Sequence, residues 1–207
     1  NPTVEAEVYL NDKTKASASV PSGASTGAFE AFELRDGNKN YFLGKSVLKA
    51  VKNINTVINK SLKNIDVSDQ KKIDQILINL DGTDNKKKLG ANALLAVSLA
   101  SAKAAAISKK KELYKHLGKK FLLPKPLMNI INGGAHADNN LRIQEFMIRP
   151  DSAKNFMDAI EKCFLVIQNL KKILLSKNLS TNVGDEGGFA PSINSNEEAL
   201  EFVVDAI

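Results

Sequence analysis

Leu122-Leu123-Pro124-Lys125-Pro126 breaks the chain in two. Two prolines in three residues remove backbone donors and keep the residue before each out of helical angles, so helical structure stops here and an extended linker follows. The patterns on either side differ, and residues 1–120 and 121–207 read as separate domains.

Upstream, residues 3–10 alternate apolar and polar, which puts Val4, Ala6, Val8 and Leu10 on one face of a half-buried strand. Asn11-Asp12-Lys13 reads as a turn and residues 15–20 as the returning strand of a hairpin. Ser22-Gly-Ala-Ser-Thr-Gly27 is too small and polar for an element and reads as a loop. A third extended stretch over 29–35 would complete a three-strand antiparallel meander. The period then becomes helical. Val47, Val51, Ile54, Ile58 and Leu62 form one stripe, and Ile73, Ile76, Leu77 and Leu80 form another behind Ser68 as N-cap. The alanine-rich segment 90–107 predicts a helix that packs closely against its neighbours. The first domain is thus α+β.

Downstream, 127–131 reads as a buried strand and 144–148 as another. A long amphipathic helix is expected to open at Ser152 with Phe156, Ile160, Phe164, Ile167 and Leu174 on its buried side. Ser195-Asn-Glu-Glu198 is a capping box for a last helix. The order is β-β-α-α, with no internal repeat.

Composition narrows the function classes. Of the 29 basic residues only Arg35, Arg142 and Arg149 are arginines, so the bidentate base readout that arginine provides is hard to build despite the net charge of +6. Nucleic acid is therefore not expected as a partner, and the lysine runs read as solvated faces. The single cysteine, Cys163, forms no intramolecular disulfide and lies in an apolar helical pattern, as a buried thiol would. No run of about 18 apolar residues and no basic-then-apolar leader is evident, so a cytoplasmic protein without a membrane span is expected. The chain opens on Asn1-Pro2 without Met and stops at Ile207 inside a helical pattern, which reads as a fragment.

Two weak signals fall away. Gly44-Lys45-Ser46 ends like a P-loop, but Lys39 stands where the first glycine belongs. His116 lies in a lysine-rich helical setting and reads as structural. Four stretches remain. In the 22–27 loop, the hydroxyls can contact phosphate or complete the shell of a hard metal ion, or the segment is a plain surface loop. His136, in Asn132-Gly-Gly-Ala-His136, sits on a bare loop past a buried strand, as a ligand-facing or a satisfied structural imidazole. Gln144-Glu145 places polar groups at the start of a strand too apolar to solvate them. Asp185-Glu186, framed by three glycines in Asn182-Val-Gly-Asp-Glu-Gly-Gly-Phe-Ala-Pro191, can hand a proton to a leaving hydroxyl, or is an acidic turn.

Taken together, Ser22-Gly-Ala-Ser-Thr-Gly27, Leu80-Asp-Gly-Thr83, Gly90-Ala-Asn-Ala93, Asn132-Gly-Gly-Ala-His-Ala137, Gln144-Glu-Phe-Met-Ile148 and Val183-Gly-Asp-Glu-Gly-Gly-Phe-Ala-Pro191 resemble the enolases, collinearly and over essentially the whole chain. Ala135 and Asp138 depart from the serine and glycine that many of those proteins carry. The resemblance implies an α+β N-terminal domain followed by the first units of an atypical (β/α)8 barrel. It implies the Mg2+-dependent, reversible dehydration of 2-phosphoglycerate to phosphoenolpyruvate, a glycolytic hydro-lyase reaction. Ser25 would help bind the second Mg2+ when its loop closes. His136 would face the substrate and its phosphate, Gln144 and Glu145 would hold the substrate and the departing hydroxyl, and Glu186 would be the general acid. Asp185 would fix the turn. The superfamily is a standard example of a lysine or histidine base working with one or two Mg2+ ions. In enolases the lysine base and the three carboxylate ligands of the first Mg2+ lie beyond the position of Ile207, and a full barrel needs about 250 residues. This chain alone is therefore expected not to catalyse. The resemblance also implies a homodimer or higher assembly, with a secondary cell-surface presence left open. Two other classes remain: a non-catalytic binding or assembly module, and a salt-sensitive RNA binder.

Overall fold

The computed structural model describes residues 1–23 and 25–207, so Ala24, inside the 22–27 loop, lies outside the described residues. The chain forms two compact units, Asn1–Phe121 and Leu122–Ile207.

In the first unit β1 (Val4–Tyr9) and β2 (Lys15–Val20) pair antiparallel, from Val4 opposite Val20 to Tyr9 opposite Lys15. The alternation works as read: Val4, Ala6, Ala16 and Ala18 are buried while Glu5, Glu7 and Ser19 face water. Among the described residues the expected third strand is absent, and the sheet has two strands. Phe29 lies in a turn and residues 30–35 form no strand, because their backbone bonds run elsewhere. Phe32 donates to Asn85 O (2.7 Å), Ala91 donates to Phe32 O (2.9 Å), and the Asn92 side chain both accepts from Leu34 N (3.1 Å) and donates to Leu34 O (3.2 Å). A loop and one amide side chain thus take up the hydrogen bonds that a neighbouring strand would have taken.

Helices cover the hairpin. The expected first stripe lies on α1 (Leu48–Asn53), a π-helical turn (Ile54–Ile58) and α2 (Asn59–Leu62), with Val47 and Ile58 buried. Next comes α3 (Gln70–Asp81), whose N-cap is Asp69 rather than Ser68: the Asp69 carboxylate accepts from Lys72 N at 3.1 Å. Ser68 instead donates its own N–H to Asp66 in the preceding turn. In α4 (Ala91–Ser108), Ala93, Ala96, Ala100 and Ala104 are fully buried, so the backbone comes close to both strands of the hairpin. This helix corrects one expectation. It is long and apolar enough to cross a membrane by length and composition, with a mean hydropathy of 1.4, yet 61% of it is buried inside its own unit, as in a core helix. A short α5 (Leu113–Leu117) carries His116, half-buried, and closes the unit.

Between α3 and α4 the chain folds around Asp81, which is 1% exposed. Its carboxylate accepts from Thr83 N (3.0 Å), from the Thr83 hydroxyl and from Leu89 N (2.7 Å), while Gly82 closes the helix at φ 69°. Burial works to raise this carboxyl, but the hydrogen bonds from Thr83 and Leu89 together outweigh it and hold the pKa below the ordinary value.

The second unit runs β3 (Met128–Asn132), β4 (Glu145–Ile148), α6 (Phe156–Ser176), α7 (Asn196–Ala206), the β-β-α-α order expected. β3 and β4 are antiparallel with a bulge between Asn129 and Ile131. On its other side β3 takes one parallel bridge from Phe189: Asn132 N donates to Phe189 O (2.8 Å) and Phe189 N to Ile130 O (2.9 Å). Ile130, Ile131, Phe146, Leu170, Leu174, Ile193 and Phe202 form the core.

The long helix starts four residues later than Ser152. Asn155 caps it by accepting from Asp158 N (3.0 Å), and Asp158 accepts from Lys154 N (2.7 Å), so two otherwise unpaired donors are satisfied. Its buried face is also rotated from the expected one. Ala159, Cys163, Leu170 and Leu174 are buried, whereas Phe156 and Phe164 are exposed and Ile160 and Ile167 half-buried. Ser195 caps α7 as read, accepting from Glu198 N at 3.1 Å. Glu198 in turn accepts from Asn194 N and Nδ2.

Candidate functional site

The polar cluster of the second unit begins where β3 runs out. Past Asn132 the chain enters a short 3-10 turn, Gly134–His136, and doubles back to β4. Three backbone bonds close the base of this loop: Gly133 N to Gln144 O (3.0 Å), Gly134 N to Leu141 O (2.8 Å) and His136 N to Gly133 O (3.0 Å). Asn139 ties its far side down by donating to Asn132 O (2.9 Å) and Pro191 O (3.1 Å). With the loop held at both ends, Gln144 Nε2 lies 2.9 Å from His136 Nε2. Nδ1 faces Glu145 Oε1 at 3.6 Å.

Glu186 arrives from a different part of the chain. The turn over 184–188 closes through Gly184 N to Gly188 O (2.9 Å) and Gly187 N to Gly184 O (3.1 Å), with Gly187 at φ 82°. Asp185 donates its backbone N–H to His136 O (3.0 Å), which hooks the turn onto the histidine's own main chain, while its side chain faces solvent. Glu186 Oε1 then stands 3.8 Å from His136 Nε2.

The result is an imidazole only 3% exposed, flanked by carboxylates whose side chains are 33% and 43% exposed. Both carboxylates lie just beyond hydrogen-bond length and remain open to a ligand. Such a group can accept hydroxyls, bind an anion through the imidazole when it is protonated, and pass a proton between a carboxyl and a bound oxygen.

His136, Gln144, Glu145 and Glu186 are thus brought together within one unit. Ser25 belongs to the first unit, exposed in the loop after β2. The start of that loop is anchored: Arg35 donates to Ser22 Oγ, Glu33 Oε1 (2.6 Å), Pro2 O (2.6 Å) and Lys45 O (2.6 Å), and Ser22 donates to Glu33 at 2.9 Å. Among the described residues no three His, Cys, Asp or Glu side chains converge into a metal site.

Sequence reasoning passes over Asn132. It is 0% exposed, and among the described residues neither its Oδ1 nor its Nδ2 has a hydrogen-bond partner. Leaving a buried polar group unpaired costs roughly 1–3 kcal/mol. The signal available was a polar residue ending an apolar strand directly before two glycines.

The chain is thus an α+β unit followed by a unit of two strands, two helices and a polar cluster at the strand ends. Residues 1–117 match the family described as Enolase, N-terminal domain, and residues 120–207 match Enolase, C-terminal TIM barrel domain. The chain is 62% identical over 209 residues to the protein named Enolase from Pelagibacter ubique (strain HTCC1062), covering 100% of this chain and 50% of that protein. The chain spans about half the length of the curated relative it matches. It belongs to the enolase family.

Proposed function

We propose that this chain serves the reversible dehydration of 2-phosphoglycerate to phosphoenolpyruvate. The observation that carries the reading is the convergence of His136, Gln144, Glu145 and Glu186, at 2.9, 3.6 and 3.8 Å around one imidazole. Dehydration breaks a C–H bond beside the substrate carboxylate and a C–O bond at the next carbon. Hydroxide is a poor leaving group, so a carboxyl placed at that oxygen lowers the barrier by delivering a proton as the bond breaks, and water departs. Glu186 has that role here, with Glu145 and Gln144 holding the departing oxygen and the substrate hydroxyl. His136, seated on the floor, faces the substrate and its phosphate. The base that takes the carbon-bound proton belongs to the half of the family's length that this chain does not span, so the 207-residue chain alone does not turn over.

Enolases depend on Mg2+, and that dependence carries over as a proposal in which Ser25 helps bind the second Mg2+ when its loop closes. Homo-oligomerisation and a cytoplasmic location belong to the same reading.

The test is the rise of phosphoenolpyruvate absorbance from 2-phosphoglycerate with Mg2+. It compares the 207-residue chain, a longer reading frame covering the family's full length, and Glu186→Gln in that longer form. Activity in the longer wild type alone, with a loss of at least about 100-fold in the variant, is expected. No activity in any form would overturn the assignment.

A further inference from the structure

The turn that carries Glu186 stands on Asn132. A Cβ on Gly184 would come within 2.8 Å of Asn132 Cβ and 3.1 Å of its Cγ, and one on Gly188 within 2.6 Å of Asn132 Oδ1. The amide therefore lies against both feet of the turn at an approach that only glycine allows. It is completely buried by this chain's own atoms and makes no hydrogen bond among the described residues. No accessible atom is left for a ligand or another segment to reach, so recognition does not explain it. What remains is shape: a planar group of three heavy atoms beyond Cβ, as long as the branched head of leucine and thinner. The main chain of Asn132 sits at the same crossing, donating to Phe189 O just past the turn and accepting from Asn139.

We propose that Asn132 is a positioning residue whose flat, unpaired amide is the spacer between Gly184 and Gly188 that sets the reach of Glu186 over His136. The idea deepens the proposed dehydratase function, and only its kinetic arm rests on that reading. Removing the spacer lets the turn sink, and thickening it lifts the turn. Either change displaces Glu186 from His136 Nε2 while the helices behind the strands keep their packing.

Two variants test this. Asn132→Ala takes the spacer away, and Asn132→Leu fills the space with a thicker group. In the 207-residue chain, amide hydrogen exchange at Gly184 and Gly187, whose N–H groups close the turn, should quicken about tenfold or more in both variants, with α6 and α7 amides unchanged. In the longer reading frame kcat should fall about 10- to 100-fold with KM nearly constant, because the acid is misplaced and binding is kept. Unchanged exchange at the turn would overturn the proposal. So would equal loosening of α6 and α7, which would mark Asn132 as ordinary packing. A loosened turn with full kcat would overturn the positioning role. An inactive longer wild type would instead remove the dehydratase reading, leaving the exchange comparison to decide the spacer by itself.

Discussion

Asp81→Asn should destabilise the first unit by about 2–3 kcal/mol, and the structure shows where that comes from. The native carboxylate serves three donors from a position 1% exposed. Asparagine keeps one oxygen for Thr83 but turns its amide toward Leu89 N, setting donor against donor. The Leu89 N–H bond of 2.7 Å is buried and charge-assisted, so its loss costs the bond and leaves an N–H unpaired. For a unit of this size that energy corresponds to a fall in Tm of about 10 °C. The assay has a built-in reporter: all three tyrosines, Tyr9, Tyr41 and Tyr114, lie in the first unit and the chain has no tryptophan. Tyrosine fluorescence therefore follows this unit alone. The pH dependence adds a sign. A carboxyl whose folded pKa lies below its ordinary value contributes stability that is fully present above the ordinary value and is lost as pH falls through the folded one. The gap between wild type and Asp81→Asn should stay constant above about pH 5, begin to close near pH 4 and vanish only in stronger acid. Equal Tm values at neutral pH, or a gap unchanged in strong acid, would refute the account.

Cys163 is 1% exposed and burial pushes its thiol up, so a thiol-specific reagent should leave it unmodified for hours in the native chain and react promptly in urea; rapid native labelling would contradict the packing of α6. Asn155→Ala and Ser195→Ala each remove one N-cap acceptor and should each cost about 1 kcal/mol, read as a lower urea midpoint with unchanged slope. A midpoint identical to wild type would mean that water serves those helix ends as well as the side chain does.

Local pattern and distant partner divide what the sequence revealed of the fold. The hairpin was legible because alternation alone places Val4, Ala6, Ala16 and Ala18 inside. Residues 29–35 show a similar extended composition, yet whether such a segment joins a sheet depends on which hydrogen-bonding partners reach it first. Here Asn85 and Asn92, more than fifty residues away, do so. The face of α6 was misjudged for a related reason. Large aromatics at 156 and 164 dominate a helical count, but the small and medium residues Ala159 and Cys163 are the ones that are buried.

The site follows the same division. That His136, Gln144 and Glu145 lie near one another could be inferred from one hairpin, since β3 and β4 are neighbours in sequence and Asn132 stands opposite Glu145. The place of Glu186 depends on long-range contacts, the parallel bridge between Ile131 and Phe189 and the Asp185 N–H on His136 O, which no local period encodes. The glycines around it do not share one role. The geometry separates them: Gly187, at positive φ with open space around it, shapes the turn, while Gly184 and Gly188 are bare because Asn132 and the backbone of residues 130, 131 and 136 press against them. A glycine frame around an acid therefore carries two messages, one for the turn and one for what lies beneath it. The second becomes readable only when a buried polar residue with no hydrogen bond marks the spot.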